Sequence, residues 1–350
     1  MTFKVVHTFP VEGVDLGEKL LDPFDAIIVK VMCSTEDEII RNAAGADAVV
    51  GCVSIQPFTR RVLESLQKCR ILAGISIGFN TTDVEAATKQ GIVVTNVPDY
   101  CMDEVSGLAI GLMLALGHKI FQVDKAVRER HITFTMDRKA LIEVAYPIHR
   151  MRDQTLGVIG FGKIGTATAL KAGGLGMRVI AYDPYVLDAV LETHGVKPAS
   201  LSTLLHESDF ISIHTPLNKE TQNLIGEPEF RQMKPTCFFV NTARGGCVDQ
   251  AALICALQEK RIAGAGIDVT VDEPIAISNP LLKMPNVILT GHSAYYSITA
   301  ELELYYKPMT QIVMAMKGAW PTYVVNPEVK KDWMEKWGRS WGSSGTPDQR

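Results

Sequence analysis

Leu156-Gly-Val-Ile-Gly-Phe-Gly-Lys-Ile-Gly165 is the stretch on which the reading of the chain turns. A short apolar run leads into Gly160, Gly162 and Gly165, spaced G-x-G-x-x-G, and Lys163 to Gly173 continues with helical character. Strand, glycine turn and helix in that order make the phosphate-binding corner of a dinucleotide fold. Gly160 permits the tight turn, Gly162 lets the backbone approach a pyrophosphate, and Gly165 lets the helix pack close on the strand. The helix amino terminus, opening with Lys163 and Ile164, then faces the phosphate charge. The next apolar run, Arg178-Tyr182, ends in Asp183, 23 positions beyond Gly160. A carboxylate there accepts hydrogen bonds from both ribose hydroxyls and repels a 2′-phosphate, so NAD is expected rather than NADP.

The same alternation extends in both directions. After Thr155 the strand candidates are LGVIG, RVIAYD, FISIH, FFVNT, AGAGIDV and VILTG. Before it, Lys4-Thr8, Ala26-Val31, Ala48-Val53, Ile71-Ile75 and Ile92-Thr95 are rich in Val and Ile. Helical stretches such as Thr59-Gln67 and Thr82-Lys89 separate them, the second opening on a capping-type Thr82-Asp83. Two α/β series with parallel sheets covered on both faces follow from this spacing. Between them, Asp103 to about Arg128 reads as one long helix, acidic at its start and basic toward its end. Glu129 to Arg152 is polar and lacks clean periodicity. A last helix is expected over Thr299 to Lys317. Beyond it Trp333, Trp337 and Trp341, spaced by four, make an aromatic helical face that needs cover, from this chain, a dimer mate or another partner.

Composition narrows the function classes. A chain of 350 residues has room for about two domains. With 35 Lys and Arg against 39 Asp and Glu, it has no electrostatic footprint for nucleic acid or an anionic membrane. MTFKVVHTFPVEGVD has no apolar core of signal-peptide length, and Val105 to Gly117 is too short for a bilayer span and reads as a buried helix. Seven cysteines without paired spacing argue for a reducing compartment, and no Cys/His cluster has zinc-ligand spacing. A soluble cytoplasmic protein with no metal is the expectation.

Three more segments place polar residues after predicted strands: Arg244 in NTARGG (241–246), Asp268 and Glu273 in GIDVTVDEP (266–274), and His292 in GHSAYYS (291–297). Open parallel sheets bind ligands at those strand ends. With GFGKIG and Asp183, HTPLNKET at 214–221, and an Arg-to-Glu interval of 29, the chain resembles the D-isomer-specific 2-hydroxyacid dehydrogenase family over about residues 1–326.

That resemblance implies an oxidoreductase passing a hydride between NAD(H) and a 2-hydroxy acid/2-oxo acid pair. Arg244 would bind the substrate carboxylate and polarise its C2 carbonyl. His292 would act as general acid and base, and Glu273 would orient it and stabilise its imidazolium. Asp268 resembles the aspartate that holds the nicotinamide carboxamide. Thr215, Pro216, Thr221, Thr242 and Ala243 resemble cofactor contacts, beside the glycine turn and Asp183, with Arg244 and His292 lying against the nicotinamide. Ile77 and Gly78 occupy the loop whose N–H groups receive the substrate carboxylate, and Tyr295 is a candidate pocket wall. Neither it nor the other wall candidates, Val53, Ser54, Phe79, Tyr100 and Tyr296, is cationic, which favours a small or apolar 2-oxo acid. Residue 291 is usually Pro in this family and is Gly here.

The implied architecture is α/β, with two doubly wound parallel-sheet domains. A Rossmann NAD-binding domain (103–297) is inserted in a flavodoxin-like substrate domain (1–102 and 298–327), followed by a tail (328–350). A homodimer built on the Asp103-Arg128 helix and the Glu129-Arg152 arm is also implied. Formate dehydrogenases resemble the chain but carry Gln where Glu273 stands; phosphite dehydrogenases share the Arg, Glu and His and carry Lys where Ile77 stands, and a phosphite dehydrogenase-like enzyme is one alternative. The C-terminal binding protein corepressors keep the same Arg, Glu and His, so an NAD-sensing binding module is the alternative from another class.

Overall fold

The computed structural model describes residues 2–13 and 16–339. The chain divides into two compact units, Met1–Tyr100 with Ser297–Arg350, and Cys101–Tyr296.

In the first unit, β1 (Phe3–His7), β2 (Ala26–Lys30), β3 (Ala48–Gly51), β4 (Ile71–Gly74) and β5 (Val93–Thr95) form a parallel sheet of order β2-β1-β3-β4-β5. Every residue of β3, β4 and β5 is buried, which is why these strands read as unbroken apolar runs rather than alternating ones. Helices Glu36–Ala43, Arg60–Ser65 and Val84–Lys89 make the crossovers. Thr35 and Glu38 close a capping box on the first, and Asp83 caps the third by accepting from Ala86 N–H at 2.9 Å. Thr82 is not the cap; its hydroxyl donates to Val53 O at 3.0 Å. Helix Ile298–Met316, capped by Ser297, completes the unit.

The carboxyl-terminal helix Lys330–Trp337 packs on this same unit. Trp333 is wholly buried and its indole N–H donates to Arg70 O at 2.8 Å, while the Arg70 guanidinium lies 4.2 Å above the Trp337 ring. This chain itself covers these two tryptophans; Trp341 lies outside the described residues.

The second unit opens with two helices where one was expected, Met102–Gly117 and Ile120–Arg130, bent by 55°. The break falls at Lys119, whose backbone is left-handed at φ 50° and whose ammonium donates to Tyr146 O. The first helix buries Ala109 together with Val105, Leu112, Met113 and Leu116, and each of these last four contributes about 1.5–3 kcal/mol by leaving water. Helix Arg138–Ala145 follows within the segment read as aperiodic; none of its residues is buried, so no core-facing stripe marks it. No single helix among the described residues is long and apolar enough to cross a membrane.

Seven parallel strands follow: β6 (Thr155–Ile159), β7 (Arg178–Tyr182), β8 (Lys197–Pro198), β9 (Phe210–Ile213), β10 (Phe238–Asn241), β11 (Gly264–Ile267) and β12 (Val287–Leu289). Their order, β12-β11-β10-β9-β6-β7-β8, reverses direction about β6. This is the doubly wound Rossmann order, and its switch point lies between β6 and β9. Only the two-residue β8 left no strand signal in the sequence. Apolar clusters cover both faces of the sheet: Ile213, Phe239 and Leu257 belong to one, Leu112, Val158 and Val240 to the other. The carboxyl ends of the strands are left to carry polar residues.

Candidate active site

The glycine turn sits at the end of β6. Gly160 has φ 89°, and a Cβ there would lie 2.9 Å from the His214 carbonyl carbon. A Cβ on Gly165 would fall 2.0 Å from Gly160 O, so the helix Lys163–Gly174 can approach only with glycine at that position. Gly162, the residue before that helix, has open space around it and caps nothing with a side chain. The first-turn N–H groups, those of Lys163 and Ile164 among them, are thus presented to an anion. Asp183 follows β7, its Oδ2 accepting from Phe161 N–H at 2.8 Å and its Oδ1 from Tyr185 N–H at 2.9 Å. These residues fit a dinucleotide pyrophosphate and ribose.

The loop after β9 is stiffened by its own side chains. Thr221 Oγ1 donates to Pro216 O at 2.5 Å, and Asn218 Oδ1 accepts from Glu220 and Thr221 N–H at 2.8 and 3.0 Å. Thr215 Oγ1 rests 3.7 Å from Cys247 Sγ. His214 Nε2 is 2.9 Å from Ser212 Oγ, and burial pushes its imidazole down to about 4, so it is neutral at physiological pH.

After β10, Asn241 organises the turn that presents Arg244. Its Oδ1 accepts from Ala243 N–H and its Nδ2 donates to Arg244 O, both at 3.0 Å. Arg244 Nη1 donates to Ala243 O at 2.7 Å, which fixes the guanidinium close to the loop. A Cβ on Gly245 would meet Thr270 O at 2.1 Å, so this turn and the one after β11 touch backbone to backbone. The Thr242 hydroxyl is buried with no hydrogen-bond partner among the described residues. A buried hydroxyl left so is costly, and it fits an acceptor supplied by a bound cofactor.

The turns after β11 and β12 interlock through Asp268, which is 3% exposed. Its Oδ1 accepts from Thr290 Oγ1 at 2.6 Å and from Ser293 N–H at 2.9 Å, and its Oδ2 from Ala294 N–H at 3.2 Å. Its carbonyl takes His292 N–H at 2.6 Å. Three donors offset the cost of burying this carboxylate, and all belong to the histidine loop. His292 Nδ1 is 2.7 Å from Glu273 Oε2, and Glu273 Oε1 accepts from Thr270 N–H at 3.2 Å. Both Gly291 and His292 are left-handed, at φ 63° and 61°. Proline, confined near −65°, cannot adopt the backbone seen at 291, which accounts for glycine there. Tyr295 stacks edge-on against Tyr296, ring centroids 6.2 Å apart.

Arg244, Asp268, Glu273 and His292 therefore stand on neighbouring loops at one edge of the second unit's sheet. Ile77 and Gly78 belong to the first unit. There Asn96 Nδ2 donates to Ile77 O and Ser76 Oγ to Gly78 O, each at 2.7 Å, and Val97 N–H donates to Ser76 O at 3.0 Å. With its carbonyls held by these donors, the loop can turn its N–H groups to an anion. Asn241, Thr270 and Thr290 were missed in the sequence. Each acts through backbone or a buried partner, and only the NT before Ala243 and the T before Gly291 hinted at them.

The family model for the D-isomer specific 2-hydroxyacid dehydrogenase NAD binding domain matches residues 110–294. A glyoxylate reductase of Korarchaeum cryptofilum is 38% identical over 293 residues, 84% of this chain and 86% of that protein. The holo D-mandelate dehydrogenase of Rhodotorula graminis superposes with a TM-score of 0.82 at 26% identity, covering 93% of this chain and 98% of that one. D-lactate dehydrogenase of Lactobacillus jensenii with NAD+ gives 0.74 at 29% identity, covering 92% and 99%. Sheet order, glycine turn and sequence agree: the chain belongs to the D-isomer specific 2-hydroxyacid dehydrogenase family, as an NAD-dependent enzyme that interconverts 2-oxo and 2-hydroxy acids.

Proposed function

We propose that the chain reduces a small 2-oxo acid, glyoxylate first among them, with Arg244, Glu273 and His292 as its catalytic groups. The His292–Glu273 contact at 2.7 Å carries this reading. Because Nδ1 faces the carboxylate, Nε2 is the atom left to hold the mobile proton. In reduction, Nε2–H donates to the substrate C2 oxygen while Glu273 orients the ring through Nδ1; in oxidation, Nε2 takes that proton back. Bound NADH supplies the hydride that reaches C2. Arg244, pinned by Ala243 O, offers its remaining donors to the substrate carboxylate and carbonyl, where charge builds up. The family resemblance gives the Ile77–Gly78 loop a carboxylate-binding role and Tyr295 that of a pocket wall.

Gly160, Gly162, Lys163, Ile164 and Gly165 hold the pyrophosphate and Asp183 the ribose, with the 215–221 loop alongside. Thr242, Ala243 and Asp268 serve the nicotinamide end, Asp268 also fixing the loop of His292. Residues 1–102 with 298–327 serve the substrate and 103–297 the cofactor. The glyoxylate reductases at 34–38% identity favour glyoxylate among small 2-oxo acids. We also infer a homodimer. Ile120, Phe121, Phe134, Met136 and Ile142 are exposed apolar side chains on one contiguous stretch of the second unit, as a covered interface would require. Seven free cysteines, six of them buried, fit a reducing, cytoplasmic setting.

The test is NADH oxidation at 340 nm across 2-oxo acids graded in size and charge. Glyoxylate and other small acids should lead. His292→Ala should lose turnover by at least about a thousandfold while still binding NADH, and Arg244→Ala should lose both substrate affinity and rate by a similar factor. Normal turnover in either variant removes that residue from the mechanism.

A further inference from the structure

The loops after β7 and β9 stand on either side of the end of β6, because the order β9-β6-β7 places β6 between them. A side chain reaching from one loop to the other crosses above the glycine turn. Tyr185 and Glu220 do this: the Tyr185 phenol donates a hydrogen bond to Glu220 Oε2. Two interstrand gaps of about 4.8 Å must be spanned, a distance of about 10 Å that an extended Tyr and Glu together can cover.

Both ends are anchored. Tyr185 N–H hangs from Asp183 Oδ1 at 2.9 Å, and the other oxygen of that carboxylate holds Phe161 in the glycine turn at 2.8 Å. Glu220 belongs to the turn stiffened by Asn218 and Thr221, its own N–H held by Asn218 Oδ1 at 2.8 Å. Between the anchors the Tyr185 residue is 77% exposed, a bar in open solvent rather than part of the core. The Glu220 carboxylate raises the Tyr185 phenol above its usual range and so keeps it a donor. The turn beneath has open space at Gly162, where a pyrophosphate would lie.

We propose that Tyr185 and Glu220 form a strap across the dinucleotide crevice, which clamps the adenosine half of NAD and opens for the cofactor to leave. This rests on the crevice being the cofactor site. The strap is a single exposed hydrogen bond, weak enough to break at each turnover and strong enough to slow release. Neither residue touches the proton-transfer groups.

Stopped-flow release of NADH, followed by its fluorescence from the full-length protein, tests the strap. Tyr185→Phe and Glu220→Ala should each speed release about fivefold, as the loss of one exposed hydrogen bond would. The double variant should release no faster than either single one, since both remove the same contact. Unchanged release in the single variants, or effects that multiply in the double, would overturn the strap. So would a pure charge effect, in which Glu220→Gln tightens NADPH binding while Tyr185→Phe alters neither cofactor. A wild-type protein that binds no NADH overturns the reading of the crevice itself, and the strap with it.

Discussion

At the scale of single residues, the site is built by exclusion as much as by attraction. Gly245 has no room for a methyl group: its Cβ would sit 2.1 Å from Thr270 O, backbone that cannot move without carrying the loop of Glu273. Gly245→Ala should therefore destabilise the second unit by about 2 kcal/mol or more, read as a drop in thermal midpoint, and should lower turnover beyond what the lost stability explains. Unchanged midpoint and rate would mean that the two loops separate freely. Thr290 is subtler. Its hydroxyl reaches Asp268 Oδ1 at 2.6 Å and has no chemistry of its own. Thr290→Val leaves the carboxylate short of one donor, so kcat should fall about tenfold through a misplaced His292, with a smaller loss of NADH affinity. Equal loss in kcat and NADH affinity would show that Thr290 serves the cofactor instead. The glycine turn, Asp183, Arg244, Glu273 and His292 could be singled out in the sequence because each is a chemical type at a fixed spacing. Asn241 and Thr290 could not, because their importance lies in which backbone atoms they meet.

At the scale of elements, nearly every strand was visible as a Val- and Ile-rich run, since burial on both faces removes the need for polar alternation. The helix expected over Asp103 to Arg128 is broken because Lys119 turns left-handed, and no glycine or proline at that position announces it. The carboxyl-terminal helix makes the opposite case: its tryptophan spacing was plain, its docking place was not. Trp333 fills the unit formed by the first hundred residues and donates to Arg70 O just before β4. Trp333→Ala should cost about 3–5 kcal/mol, seen as an early unfolding transition of that unit, while NADH binding to the other unit stays as it was. A midpoint within a degree of wild type would mean that the helix is dispensable.

At the scale of the whole molecule, each unit contains a histidine kept neutral by burial. His7, at the end of β1, is pushed down to about 4 from 6.5 by burial first and by Lys30 second. The unfolded chain takes up a proton near 6.5 while the folded one does not until about 4, so stability is complete above 6.5 and falls as pH drops toward 4. The loss from His7 alone is on the order of 3 kcal/mol. His214 repeats the arrangement in the second unit. Denaturant unfolding of wild type and His7→Asn at pH 7 and pH 4.5 measures the effect. Asn can still accept from Phe9 N–H, as His7 Nδ1 does at 3.3 Å, so the variant should lose less stability on acidification. An identical loss in both would remove His7 from the acid response.

The sequence by itself determined the fold class, the family and the chemical identity of the candidate catalytic groups. Periodicity reports burial, and a glycine or a charged residue after a strand reports what the backbone must do there. Tertiary structure alone decided what holds those groups. Examples are the Asp268 hub, the left-handed Gly291–His292 pair, the close contact of Gly245 with Thr270, and the hydrogen bond from the Trp333 indole to Arg70 O. All four join residues that are distant in the chain or depend on a backbone angle, and a hydrogen bond across such a distance leaves no period in the sequence.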